Sequence, residues 1–276
     1  MSGSDLAGLS CDLKIEQSGD KVICLGMKDG ISHREIIIPD GVTEIANYAF
    51  LDNEEIVRAI IPDSVQKIGE QAFQCCNALE SIQLPKIMHG VWGTIVDVCP
   101  NLRSIALPYG ITEIGDSAFS NNESMAEIII PDTVTKISEA AFYDCDSLHT
   151  LYFSDHVTEI NMTATFYSCR SLTSIRFPEH ILFTSRGDNF GEHMFYNCTS
   201  LKNIIIGDQT FSFDPERFSR IAYYCLLDVN TEYSDAEMKA ILIYCCDKND
   251  TEKLLNIFRI DRSELERFSA KADRYF

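Results

Sequence analysis

Proline returns at a fixed interval through the middle of the chain: Pro39, Pro62, Pro85, Pro108 and Pro131 lie 23 residues apart. A second comb keeps the same beat, with Phe50, Phe73, Phe119 and Phe142 in register and Val96 at the missing tooth. Two slips follow. Ser154 and Pro178 continue the proline column at steps of 23 and 24, Gly207 ends it at 29, and Phe166 and Phe195 continue the phenylalanine column. A period in the twenties denotes one supersecondary unit per coil of a solenoid, because a unit of that size cannot bury its own apolar face and must stack on its neighbours.

The best-preserved unit runs from Ile130-Pro131 through Val134, Ile137, Ala141-Phe142, Cys145, Leu148 and Leu151 to Phe153. Three residues after each phenylalanine-column position stand Asn53, Cys76, Cys99, Asn122, Cys145, Cys169 and Cys198; six after stand Ile56, Leu79, Leu102, Met125, Leu148, Leu172 and Leu201. Pairs such as Ile82/Leu84, Ile105/Leu107, Ile128/Ile130 and Ile175/Phe177 have the spacing of two that marks a strand with one buried face. The proline that follows ends each strand, since it has no N–H to extend a ladder. Successive strands are therefore parallel, and they predict one long sheet along one side of the coil.

This pattern, Leu-x-x-Ile-x-Leu-Pro with Ala-Phe-x-x-Cys/Asn, resembles the BspA-like, or Treponema pallidum-type, leucine-rich repeat family over about residues 36–207. The resemblance implies a leucine-rich-repeat coil and, for function, protein binding or extracellular adhesion. The expected fold is an α/β repeat solenoid with one parallel sheet. Its parts are an N-terminal region with a capping β-hairpin over 1–35, a solenoid of about seven 23-residue units over 36–207, and a C-terminal α-helical region over 208–276.

A solenoid must be closed at both ends, or its last apolar layer meets water. Residues 13–17 and 21–25 alternate around Ser18-Gly19-Asp20, which reads as the hairpin. After Gly207 the period becomes helical. Asp214-Pro215-Glu216 is a start signal, and capping patterns follow at Ser234/Glu237, Asn249/Glu252 and Asp261/Glu264. Four short helices result, as a cap or as a partner-docking module; their small core favours the cap.

Formal net charge is −19, and residues 1–207 hold 28 acids against 13 bases. A chain without a Lys/Arg stripe is not built for nucleic acid. Eleven cysteines, an odd total of which five stand in one column alternating with Asn, without Cys-x-x-Cys, read as free thiols in a reducing compartment. No apolar stretch long enough to span a membrane occurs, and residues 1–10 show no secretory signal, so the expected location is cytoplasmic, or the cell surface if an export signal has been removed.

The six histidines, His33, His89, His149, His156, His180 and His193, lack zinc-ligand spacing. Asp40, Asp63, Asp132, Asp155, Glu179 and Asp208 follow the proline-column residue, an acidic column broken by Lys86 and Tyr109 that reads as solvated turn residues. No phosphate loop, nucleophile elbow or paired catalytic carboxylates are present, so no enzyme, cofactor or metal is expected. The six-residue expansion before Phe195 contains Ser185-Arg186-Gly187-Asp188-Asn189, a flank loop that carries an integrin-type tripeptide and suits a generic contact.

Two features point to a partner. Positions two before the proline column, Ile37, Ile60, Gln83, Ala106, Ile129, Tyr152, Arg176 and Ile205, face out of the sheet as an apolar row. They are bordered by Glu35, Arg58, Ser81, Ser104, Glu127, Thr150, Ser174 and Asn203, as an interface core is bordered by a polar rim. Trp92, the chain's one tryptophan, falls on an outward template position between glycines in the one unit that breaks the pattern. It is either a recognition residue or a ring folded back over the gap left by Val96. The function expected is a non-catalytic protein–protein interaction module binding a protein or peptide, with a surface adhesin as the competing reading and an unrecognised hydrolase behind it.

Overall fold

The computed structural model describes residues 12–161, 163–179, 181–184, 194–207, 209–212 and, further on, 251, 252, 255, 261–263 and 266. The chain enters through the expected hairpin, β1 (Leu13–Ser18) and β2 (Lys21–Met27), antiparallel around Gly19. Gly26 lies where an added Cβ would sit 2.0 Å from the Ala49 carbonyl oxygen, so glycine is what lets the hairpin close on the first coil.

Each coil then makes two strands rather than one. The Ile-x-Leu segments give a first parallel ladder of β3 (Glu35–Ile37), β5 (Arg58–Ile60), β7 (Ser81–Gln83), β9 (Ser104–Ala106), β11 (Glu127–Ile129), β13 (Thr150–Tyr152), β15 (Ser174–Phe177) and β17 (Asn203–Ile206). Pairing within it is continuous over β3-β5-β7, β9-β11 and β13-β15-β17. Between these strands run β4 (Glu44–Ile45), β6 (Lys67–Ile68), β8 (Ile87–Trp92), β10 (Tyr109–Ile114), β12 (Lys136–Ile137), β14 (Glu159–Asn161) and β16 (Leu182–Thr184). They form a second parallel ladder, β2-β4-β6 and β8 to β16. The α/β class and the single sheet are thus corrected to a parallel β-solenoid of leucine-rich-repeat type; no helix occurs among the described residues from 12 to 212. The Val-x-x-Ile half of each unit is a corner followed by a strand that is mostly two or three residues long.

The rest of each coil is a turn around the phenylalanine column. The residues two before and two after Phe50, Phe73, Phe119, Phe142 and Phe166 have φ between +50° and +61°, although none is glycine. Left-handed backbone costs such residues about 1–2 kcal/mol each. It is repeated because the alternation aims three N–H groups per turn at the next coil. Tyr48, Phe50 and Asp52 donate to the carbonyls of Glu70, Ala72 and Gln74, and Ser117, Phe119 and Asn121 to those of Glu139, Ala141 and Tyr143, at 2.7–3.0 Å. Inside, the rings stack with centroids 4.9 Å apart for Phe50–Phe73, 5.7 Å for Phe119–Phe142, 5.6 Å for Phe142–Phe166 and 5.4 Å for Phe166–Phe195.

Trp92 corrects the outward placement. β8 takes up one extra residue before Ile87, so that Tyr109 pairs with Ile87 rather than Lys86, and Glu113 and Ile114 pair with Val91 and Trp92 in place of Gly90 and Val91; a local irregularity at Gly90, at φ +101°, is cancelled by Val91. A one-residue slip exchanges the faces of a strand. Val91 goes out and Trp92 in, where its ring stacks on Phe119 at 6.2 Å and fills the space beside Val96. Register returns by Ile95, whose carbonyl accepts the Phe73 N–H. Among the described residues the indole Nε1 has no hydrogen-bond partner.

The cysteine column is buried, and each thiol donates to the carbonyl of a phenylalanine in the preceding coil: Cys76 to Phe50, Cys99 to Phe73, Cys145 to Phe119, Cys169 to Phe142 and Cys198 to Phe166, at 2.9–3.2 Å. Asn122, in the same column, accepts the Cys99 N–H instead. All seven described cysteines are free thiols. Burial pushes Cys24 up to about 11 and Cys76 up to about 12, and drives Cys99, Cys145 and Cys169 upward as well.

At the far end, β18 (Gln209–Ser212) pairs antiparallel with β17, so the expected helical region begins with a strand. Thr251, Glu252 and Leu255, and Arg262, Ser263 and Glu266, are helical, and the Ser263 N–H donates to Asp261 as a helix cap requires. The start signal at Asp214-Pro215-Glu216 and the pattern at Ser234/Glu237 lie outside the described residues, as do residues 1–11 and 185–193.

Two measurements check this packing. Trp92 emission is expected to be blue-shifted and shielded from aqueous quenchers, and Trp92→Phe to cost under about 1.5 kcal/mol, because a similar ring stays and an orphan N–H goes. For the thiols, the folded state holds protons that the unfolded chain releases from about pH 8.5, so stability falls as pH rises from there toward 12. Denaturant midpoints between pH 7 and 10 show this, with a shallower fall in Cys145→Ala.

Candidate partner-binding face

The outward row follows from the two-residue alternation of the first ladder. With Ile36, Ala59, Ile82, Ile105, Leu151, Ile175 and Ile204 buried, the residue after each one must face solvent. Ile37, Ile129 and Tyr152 are 57–59% exposed, while Gln83 and Ala106 leave a shallower stretch between the larger side chains. Cα partners connect Ile37, Ile60 and Gln83, then Ala106 and Ile129, then Tyr152, Arg176 and Ile205. The bordering row is polar, and Arg58 pairs with Glu35 at 3.5 Å within it.

Arg176 differs from the rest of its row. Its guanidinium donates to the Phe153 carbonyl at 3.0 Å and to Asp155 at 2.9 Å, so its charge is already engaged at the corner of the coil. There a cavity of about 310 Å³ is lined by Asp155, Val157, Thr158, Arg176, Pro178, Glu179 and Gly207. Further along the acidic column, Asp63 accepts both the Lys86 N–H and its ammonium, which hold its carboxyl below the usual range. No group of three or more His, Cys, Asp or Glu side chains comes together as a metal site among the described residues.

The expected row thus stands on one face, while Trp92 leaves it for the core and the Arg186-Gly187-Asp188 loop lies outside the described residues. Two surface features were not anticipated. Ile87, Val91 and Tyr109 are exposed where β8 and β10 lengthen. Tyr143, Tyr167 and Tyr196 form a half-buried stack with centroids 4.6 and 4.7 Å apart. Their signal was present, an aromatic one position after the phenylalanine column in three successive coils.

Comparison with known proteins identifies the repeat. The profile of the BspA type leucine rich repeat region matches residues 28–91 and 96–224, in six copies. The chain belongs to that family. The unmatched residues 92–95 coincide with the shortened turn after Trp92, so the BspA-type pattern fails where the register slips. Among solved structures the chain is similar to the leucine-rich repeat protein of T. pallidum, at 26% identity and TM-score 0.46, over 72% of this chain and 81% of that one. It is also similar to a leucine-rich repeat protein from Bacteroides ovatus, at 20% identity and TM-score 0.49, over 71% and 70%. A leucine rich cell surface protein from Faecalibacterium prausnitzii matches at 17% identity and TM-score 0.43, over 72% and 76%. No curated protein matches the chain. Among the described residues no helix is long and apolar enough to cross a membrane.

Proposed function

We propose that this BspA-type solenoid is a non-catalytic interaction module that binds a protein or peptide segment across its first ladder. The observation that carries the reading is the row Ile37, Ile60, Gln83, Ala106, Ile129 and Tyr152: a mostly apolar row, broken at its middle by the polar Gln83 and the small Ala106, on a sheet whose border is polar. Apolar area at the centre of a patch with a polar rim is the anatomy of a protein interface. Arg176, tied to Asp155 and Phe153, bounds the row at one end. No cofactor or metal enters this function. The acidity of the chain disfavours nucleic acid.

A capping role for the C-terminal stretch is supported by the described Thr251, Glu252 and Leu255, which are helical, and by the burial of Leu255. Family membership favours one second reading, the same module displayed at the cell surface as an adhesin. The location is tested by protease treatment of intact source cells, which removes a displayed module and spares an internal one.

The row is tested by Ile129→Glu combined with Tyr152→Glu. Both side chains face solvent, so circular dichroism and melting stay near wild type while a partner recovered by the wild-type chain is lost. Retention of that partner by the folded double variant contradicts the proposal.

A further inference from the structure

The acidic column at the coil corner is interrupted over two adjacent coils, and the interruption is apolar. After the proline column, neighbouring coils place Asp40, Asp63, Asp132, Asp155 and Glu179, and at the next position Gly41, Ser64, Thr133 and His156. In coils three and four these positions hold Lys86-Ile87 and Tyr109-Gly110. Ile87 and Tyr109 are Cα partners and are 58% and 61% exposed. Their strands run for six residues, where β6 and β12 beside them have two. Along β8, Val91 also faces out, beside Glu113.

The column is a physical row and not only a sequence register. The Lys86 N–H and ammonium both donate to Asp63, the Tyr109 N–H donates to the Lys86 carbonyl, and the Gly110 N–H donates to Thr133 Oγ1. Reading along the solenoid axis, two acids, an apolar pair and three acids follow one another at coil spacing. Asp40, Asp132 and Glu179 make no ion pair among the described residues, whereas Asp63 and Asp155 already hold Lys86 and Arg176.

We propose that this corner is a second docking surface, taking an amphipathic helix whose central apolar pair is flanked on both sides by Lys or Arg. The spacing selects a helix. Successive coils at this corner are paired parallel strands, about 4.7–4.9 Å apart, which is nearer the 5.4 Å rise of one helical turn than the repeat of a strand. Side chains at i, i+3 or i+4 and i+7 therefore meet one coil after another. An extended strand repeats its face about every 6.7 Å and loses register within a few coils. The central pair rests on Ile87 and Tyr109. Basic residues flanking that pair reach Asp132 on one side and Asp40 on the other, the acids that hold no ion pair among the described residues, while Asp63 and Asp155 stay with Lys86 and Arg176. The row of the first ladder is not required, so the two surfaces are separable.

The test uses the whole chain and a fluorescein-labelled synthetic helix with a central Leu pair and Lys in its outer turns, read by anisotropy. The control peptide has the same composition with Lys central and Leu outer. The wild-type chain is expected to bind the first peptide at least tenfold more tightly than the control, and more weakly as salt rises. Ile87→Ser with Tyr109→Asp installs the residue types that neighbouring coils already carry, so folding is preserved; it is expected to weaken binding at least tenfold. Asp40→Asn with Asp132→Asn is expected to weaken it severalfold and flatten the salt dependence, and Ile129→Glu with Tyr152→Glu to leave it unchanged. Equal binding of both peptides, no binding by wild type, or undiminished binding by the Ile87/Tyr109 variant overturns the proposal. So does loss of binding in the Ile129/Tyr152 variant, which would merge this surface with the first-ladder row. A dimer in sedimentation equilibrium that the Ile87/Tyr109 variant dissolves would make the occupant a second copy, and equally overturns it.

Discussion

The stack of aromatic rings at the turn is the interaction on which the rest of this structure depends. Each ring of Phe50, Phe73, Phe119, Phe142 and Phe166 is buried because another coil covers it, and none is covered by its own coil alone. Burying a side chain of that size contributes about 1.5–3 kcal/mol. It holds in place two left-handed residues per turn that would otherwise cost about 1–2 kcal/mol each. Those residues in turn aim the backbone N–H groups at the next coil, so aromatic packing and the hydrogen-bond ladder sustain one another.

The same dependence explains how coil three survives its irregular sequence. Val96 leaves the ring column short, and the one-residue slip of β8 against β10 delivers Trp92 from the adjacent strand to fill the space against Phe119. The repair has a surface consequence. The lengthened β8 presents Ile87 and Val91 outward, and β10 beside it presents Tyr109, so the coil that strains the core is also the one that alters the outer face. Surface apolarity therefore has two origins in this chain: the alternation of the first ladder, repeated coil after coil, and a local departure in the second.

Much of this was legible in the sequence, and the limits are physical. The inward columns, the cysteine ladder, the hairpin and the outward row follow from spacing alone, because a repeat multiplies a weak two-residue alternation until its register is unmistakable. The second ladder was not legible: pairs such as Glu44–Ile45 and Lys136–Ile137 are too short to show a period. Of the two places the sequence allowed Trp92, the structure shows the ring folded over the gap left by Val96; the outward one came from a template of fixed length, which cannot register an insertion at the start of β8 and a compensating deletion after Trp92. Tyr109 was visible as a break in the acidic column, but its neighbour Ile87 was brought beside it only by the pairing of β8 with β10.

The most direct test of the account is the stability of Phe142→Ala. Phe142 is fully buried, with Phe119 and Phe166 stacked on its two sides and Phe153 tilted against it. If the ring stack sustains the coil, equilibrium denaturation of the variant should show a loss of about 3–5 kcal/mol through lost burial and a residual cavity. A loss below about 1 kcal/mol would mean that neither the turn nor the ladder depends on the aromatic column, and would contradict the account.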